Sequence, residues 1–262
     1  MKKLNPIIIL SSSQRSGSTL LQRLLCSAEN ALIYGDPVGH EVEFLVNYAA
    51  SKRLILEQTD FYNNAMRESV IGGSDDQFIA SMTPEKSIFL DALKESALHW
   101  LKACEQDAHD AGRDLWGWKL AGVNGFSVNT LAEWLPEARF ITLSRNLTEV
   151  IKSAKAAQII QCDQGFEHVC KTWEEGNRVL QQLASDRPGR VLELDYTSMI
   201  DQKKETISQL EKFTGAIAIK HEVFAKKMNQ YGSDSVLPPD ELTEAEKAII
   251  SNYQKEGELL PA

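Results

Sequence analysis

Long apolar runs are missing from this sequence. No stretch approaches the ~20 residues that cross a bilayer. The apolar stretch behind Met1-Lys2-Lys3 runs only from Ile7 to Leu10, too short for the core of a secretion signal. The expectation is a soluble, cytoplasmic protein. Cysteine is sparse: Cys26, Cys104, Cys162 and Cys170, with no CxxC pair. His168 and Cys170 lie close together but lack a second pair at ligand spacing, which argues against zinc. Buried free thiols in a reducing compartment are the expected state. A basic excess is absent too. With 28 basic and 37 acidic side chains, the 262 residues carry a net charge of −9. Nothing in that balance attracts nucleic acid or an anionic membrane in general. Any anionic ligand must be caught locally, by a few placed cations and backbone amides.

What is present is ordinary for a globular chain: 43% hydrophobic and 25% charged residues. No linker or internal repeat interrupts it, so residues 1–262 read as a single domain. Short apolar runs bounded by turn or helix signals read as buried strands: Ile7–Leu10, Leu115–Lys119, Arg139–Leu143 and Val191–Leu194, with Ala31–Tyr34 a weaker one. Helical patterns fall between and after them, at Thr19–Ser27, Glu85–Ala108, Val128–Leu135, Thr148–Ile160, Phe166–Leu183, Ser198–Phe213 and Leu242–Tyr253. Thr243-x-x-Glu246 is a capping box for the last. The alternation predicts an α/β, P-loop-type, mostly parallel sheet with helices on both faces. Residues 40–110 read as a helical insertion over the sheet's ligand edge, and 229–240 as a flap loop.

The chemistry starts at Ser11–Ser18. In open α/β sheets, ligands bind beyond the carboxyl ends of the strands, where this turn falls. Gly17 permits close backbone approach, successive N–H groups and a helix N-terminus form an anion seat, and Ser16, Ser18 and Thr19 add hydroxyl donors. Arg15 adds a planar charged fork. The loop is not that of a nucleotide triphosphatase, G-x-x-x-x-G-K-[ST]. Ser12 stands at the first glycine and Ser18 at the lysine; only Gly17 and Thr19 fit. The strand ending at Ser144 offers no magnesium-binding Asp. A Ser-rich turn that merely caps a helix would look much the same.

Ser13-Gln14-Arg15-Ser16-Gly17-Ser18-Thr19-Leu20-Leu21 resembles the 5′-phosphosulfate loop of sulfotransferases that use 3′-phosphoadenosine 5′-phosphosulfate (PAPS). Arg145 and Ser153, eight residues apart behind a strand, are similar to the pair that holds the 3′-phosphate in that family. Gly35-Asp36-Pro37 and Trp116-Gly117-Trp118-Lys119 extend the likeness to the bacterial trehalose sulfotransferase type. It covers residues 7–40 and 115–155.

The resemblance implies a sulfuryl transfer from PAPS to an acceptor hydroxyl, of a carbohydrate or other small molecule, with no metal, nucleic acid or membrane partner. It implies that Arg15, Ser16, Gly17, Ser18 and Thr19 hold the 5′ end, Arg145 and Ser153 the 3′-phosphate, and that Tyr196 approaches the nucleotide. Arg15 would stabilise charge growing at the breaking S–O bond. Asp36 is the expected general base, although the trehalose type carries Glu in the matching turn and an Asp before Pro is a common turn residue. His40 is the rival base, since an imidazole suits proton transfer near neutral pH; Glu41 comes third. Lys119 would approach the sulfuryl group or the acceptor. Trp116 and Trp118 share one face of their strand and are expected in the core. Two other functions stay open on the residues alone: a P-loop kinase or hydrolase, and a nucleotide-binding module without catalysis.

Overall fold

A computed structural model describes residues 4–74, 76, 78–226 and 242–258. Its centre is a five-stranded sheet of β1 (Ile7–Ser11), β2 (Ala31–Tyr34), β3 (Leu115–Ala121), β4 (Arg139–Ser144) and β5 (Val191–Asp195). The strand order is β2-β3-β1-β4-β5 and every pairing is parallel. β1 is buried along its whole length, as a central parallel strand with both faces covered must be.

Handedness decides which face each helix takes. The chain moves one way from β1 to β2 and the other way through β3, β4 and β5. The β1–β2 crossover, α1 (Ser18–Cys26), accordingly covers one face. It shares an apolar core with α7 (Tyr196–Asp201), α8 (Lys203–Thr214) and a 3₁₀ turn at His221–Ala225. The remaining crossovers, α2 (Asp36–Ile71), α3 (Lys86–Asp110), α4 (Gly125–Trp134) and α6 (Asp163–Asp186), contribute to the core on the other face. Trp116 and Trp118 are buried there, 6.0 Å apart, as expected of core residues. α5 (Leu147–Ala156), α6 and α9 (Glu244–Glu258) share a third, smaller cluster. No helix among the described residues is long and apolar enough to cross a membrane. The four cysteines are free, but against the expectation of buried thiols only Cys170 is buried, and Cys162 is exposed at the start of α6.

Several sequence expectations change. The helix expected over Ser198–Phe213 is two helices that meet at Gln202, outside helical geometry at φ −110 and ψ 50. The break lets Met199 and Leu210 both enter the core. α5 stops at Ala156, before Gln158 at a positive φ of 56. Asp36 and Pro37 open a helix of 36 residues, with Pro in its first turn where its missing N–H costs nothing. Its first turn lies at the ligand edge, where Asp36 accepts from Lys119. Glu43 bonds Asn124 at the start of α4, and Arg53 bonds Glu133 near its end. α4 leads from the carboxyl end of β3 back toward the amino end of β4, so α2 runs the same way and its far half points away from the Ser11–Ser18 turn. The expected flap at 229–240 lies outside the described residues.

Candidate active site

β1 ends at Ser11 and α1 begins at Ser18, so the loop sits at the carboxyl edge of the sheet. The loop binds itself together first: Ser16 Oγ donates to Ser13 O at 2.9 Å and lies 3.2 Å from Ser13 Oγ. The Ser16 hydroxyl is thus turned inward, not presented to a ligand. Arg15 and Gly17 take positive φ of 66 and 96. No side chain caps α1, which leaves its first N–H groups for a ligand or solvent. The Ser12 hydroxyl is buried without a partner.

Residues from three other places in the chain meet at this loop. Arg15 Nε donates to Ser153 Oγ on α5 at 3.1 Å. Arg145, just past β4, donates from Nη1 to Arg15 O at 2.7 Å. Its guanidinium carbon stands 4.2 Å from the ring centre of Tyr196, the first residue of α7. That ring fills the space a Cβ at Gly17 would need. Glycine is therefore required at position 17 by its positive φ and by its neighbour together. Arg145 Nη2 lies 3.8 Å from Glu149, while Nε is buried with no bond partner. Burial, then the Arg145 guanidinium, pushes the Arg15 pKa down, against a smaller opposing pull from Tyr196. Two guanidinium groups are thus held close together at the loop, with the buried Arg145 Nε left without a partner.

Beside it lies an acid–base pair. Lys119 belongs to β3, one strand from β1, in register with Ile9. It is only 4% exposed. Its ammonium donates to Asp36 Oδ2 at the start of α2, and Asp36 Oδ1 is buried without a partner. His40 and Glu41 are exposed one turn on. Among the described residues His40 has no bond to Asp36 or Lys119; its Nδ1 is 3.8 Å from Glu43.

Two residues of α6 that sequence reasoning passed over hold the site together. Trp173 Nε1 donates to Arg145 O at 2.7 Å. Gly176, one turn further, brings the helix against the Ser12 backbone so closely that any Cβ would overlap it. The i, i+3 spacing of Trp173 and Gly176 was the available signal; nothing local said what that face met. Glu43 was missed as well. It accepts from Asn124 Nδ2 at 3.0 Å, and Asn124 also caps α4 through Ser127 N. No three His, Cys, Asp or Glu side chains group as metal ligands among the described residues.

A parallel open sheet with a glycine loop behind its central strand defines an α/β fold, in which ligands bind beyond the carboxyl ends of the strands. Residues 6–218 match the model of the sulfotransferase family, and the chain belongs to that family. Solved structures share the fold. The sulfotransferase domain of the Synechococcus PCC 7002 olefin synthase is similar at a TM-score of 0.51 and 18% identity, over 100% of this chain and 90% of that one. The sulfotransferase domain of the curacin biosynthetic pathway gives 0.55 and 15%, over 90% and 83%. A sulfotransferase of Mycobacterium tuberculosis H37Rv gives 0.50 and 15%, over 98% and 77%. No curated protein sequence matches.

Proposed function

We propose that this protein transfers a sulfuryl group from PAPS to the hydroxyl of a carbohydrate or other small molecule, releasing adenosine 3′,5′-bisphosphate and a sulfate ester. One observation carries the reading: Arg15, Arg145, Ser153 and Tyr196, far apart in sequence, converge on the loop around Gly17. A nucleoside with phosphates at both ends needs two neighbouring anion sites, and this cluster supplies two arginines behind different strands.

The roles follow from position. Backbone N–H groups of the loop and the start of α1 bind the 5′ end, with Ser18 and Thr19 beside them. Arg145 and Ser153 bind the 3′-phosphate, and the Tyr196 ring supports the Arg145 plane from below. Arg15 faces the bridging oxygen, where charge grows as the S–O bond breaks. The acceptor oxygen attacks sulfur as Asp36 takes its proton on Oδ1, the oxygen without a partner; Oδ2 stays on Lys119. Lys119 orients that carboxylate and adds positive charge beside the transferred group. The work is positioning and charge stabilisation, as in phosphoryl transfer.

Transfer of labelled sulfate from PAPS across a panel of hydroxyl compounds tests this. Asp36→Asn lowers kcat by about 10²- to 10⁴-fold, the usual worth of a positioned base, while His40→Ala stays within a few-fold of the parent. A full rate in Asp36→Asn with loss in His40→Ala would move the proton to the imidazole.

A further inference from the structure

On the sheet edge opposite the loop, a groove of about 530 Å³ is lined by Arg139, Gly189, Arg190, Leu192, Gln209, Lys212 and Phe213. Arg139 opens β4 and Arg190 immediately precedes β5, so the groove lies at the amino ends of strands whose carboxyl ends face the candidate active site. Along β4 the two edges are roughly 17 Å apart. Three cations converge here on a chain of net charge −9. Arg139 Nη1 donates to Phe213 O at 2.9 Å, which fixes the guanidinium. Arg190 pairs with Glu137 at 2.7 Å. Lys212 has no carboxylate partner among the described residues. Burial, then the Arg190 charge, pushes the Arg139 pKa down, a cost that a bound anion relieves. Leu192 and Phe213 supply an apolar wall between the charges.

We infer that this groove is a second ligand site, which binds an organic phosphate or sulfate monoester: the oxyanion on Arg139, Arg190 and Lys212, the organic body against Phe213 and Leu192. It is independent of the nucleotide reading of the other edge.

Titration calorimetry on the full chain with phenyl phosphate, phenyl sulfate and inorganic phosphate tests it. The phenyl esters bind, inorganic phosphate binds at least about tenfold more weakly for want of the ring, and the two esters report which oxyanion is preferred. Binding persists in Arg145→Ala and with adenosine 3′,5′-bisphosphate present, and weakens at least about tenfold in the surface variant Lys212→Glu and in Arg139→Gln. No binding of either ester by the parent overturns the proposal, as does binding unchanged in Lys212→Glu. Binding equal for inorganic phosphate, or abolished in Arg145→Ala, overturns it too. A failure of adenosine bisphosphate to bind would count against the first site only.

Discussion

Gly17 shows how much one residue carries. Its φ of 96 is a conformation that costs other residues about 1–2 kcal/mol, and the Tyr196 ring occupies the space of a side chain. Gly17→Ala must move the ring, and the ring lies under Arg145. The expected outcome is a modest loss of stability and a loss of adenosine 3′,5′-bisphosphate affinity of at least about tenfold, because Arg145 loses its support. Calorimetry and thermal unfolding on the same variant check both. Affinity unchanged in a folded Gly17→Ala would show that the ring does not organise the site. Arg15 and Gly17 stood out by residue type in the loop after β1, whereas Arg145, Ser153 and Tyr196 were marked only by the family resemblance; the structure brings these five together. The inward turn of the Ser16 hydroxyl and the Lys119–Asp36 pair were not legible, because each depends on a partner's direction, and residue type does not fix direction.

Elements were legible where a local signal marks their ends. The Thr243 capping box forms as read, with Glu246 N donating to Thr243 Oγ1 at 3.2 Å and Thr243 N to Glu246 Oε2 at 2.8 Å. Lys155 of α5 adds a bond to Glu246 at 3.0 Å, tying α9 to the sheet-side helices. Burial acts to raise the Glu246 pKa, but the Thr243 amide and Lys155 together bring it below its ordinary value. A depressed folded-state pKa means stability that is complete above the unfolded value, near pH 4.5, and lost as pH falls through the folded one. Glu246→Gln keeps the capping box but loses the charge beside Lys155, so it should cost a few tenths of a kcal/mol, at most about 1, at neutral pH, and the gap between parent and variant should close under acid. Urea unfolding at both pH values measures this; a gap that persists in acid would assign the loss to packing. The break between α7 and α8 at Gln202 left no such local mark. It is set by two apolar residues reaching one core from different angles, a tertiary demand that periodicity within one segment does not record.

Across the whole molecule, the strand order and the hand of each crossover put four segments at one carboxyl edge. The alternation of strands and helices announced the fold class; the direction of α2 was not in it. The insertion expected over the ligand edge runs instead alongside α4, because Glu43 and Arg53 find partners at the two ends of that helix. Partners 81 and 80 residues away in sequence cannot be paired from composition or spacing alone. Its far half leaves Phe61, Tyr62 and Ile71 in solvent, at 79%, 69% and 79% exposure, far from the chemistry. The two sheet edges thus differ in kind: one gathers Arg15 and Arg145 around a glycine loop, the other gathers cations around an apolar wall.

The most direct test of the central claim is a thermal shift of the full chain with adenosine 3′,5′-bisphosphate against ATP, repeated on Arg145→Ala. At about 100 times Kd a ligand that binds only the folded state adds about 2.7 kcal/mol. The doubly phosphorylated nucleoside should raise the parent's Tm clearly more than ATP does, with no magnesium needed, and the variant should lose that advantage. Equal or greater stabilisation by ATP, or a shift that survives in Arg145→Ala, would contradict the account.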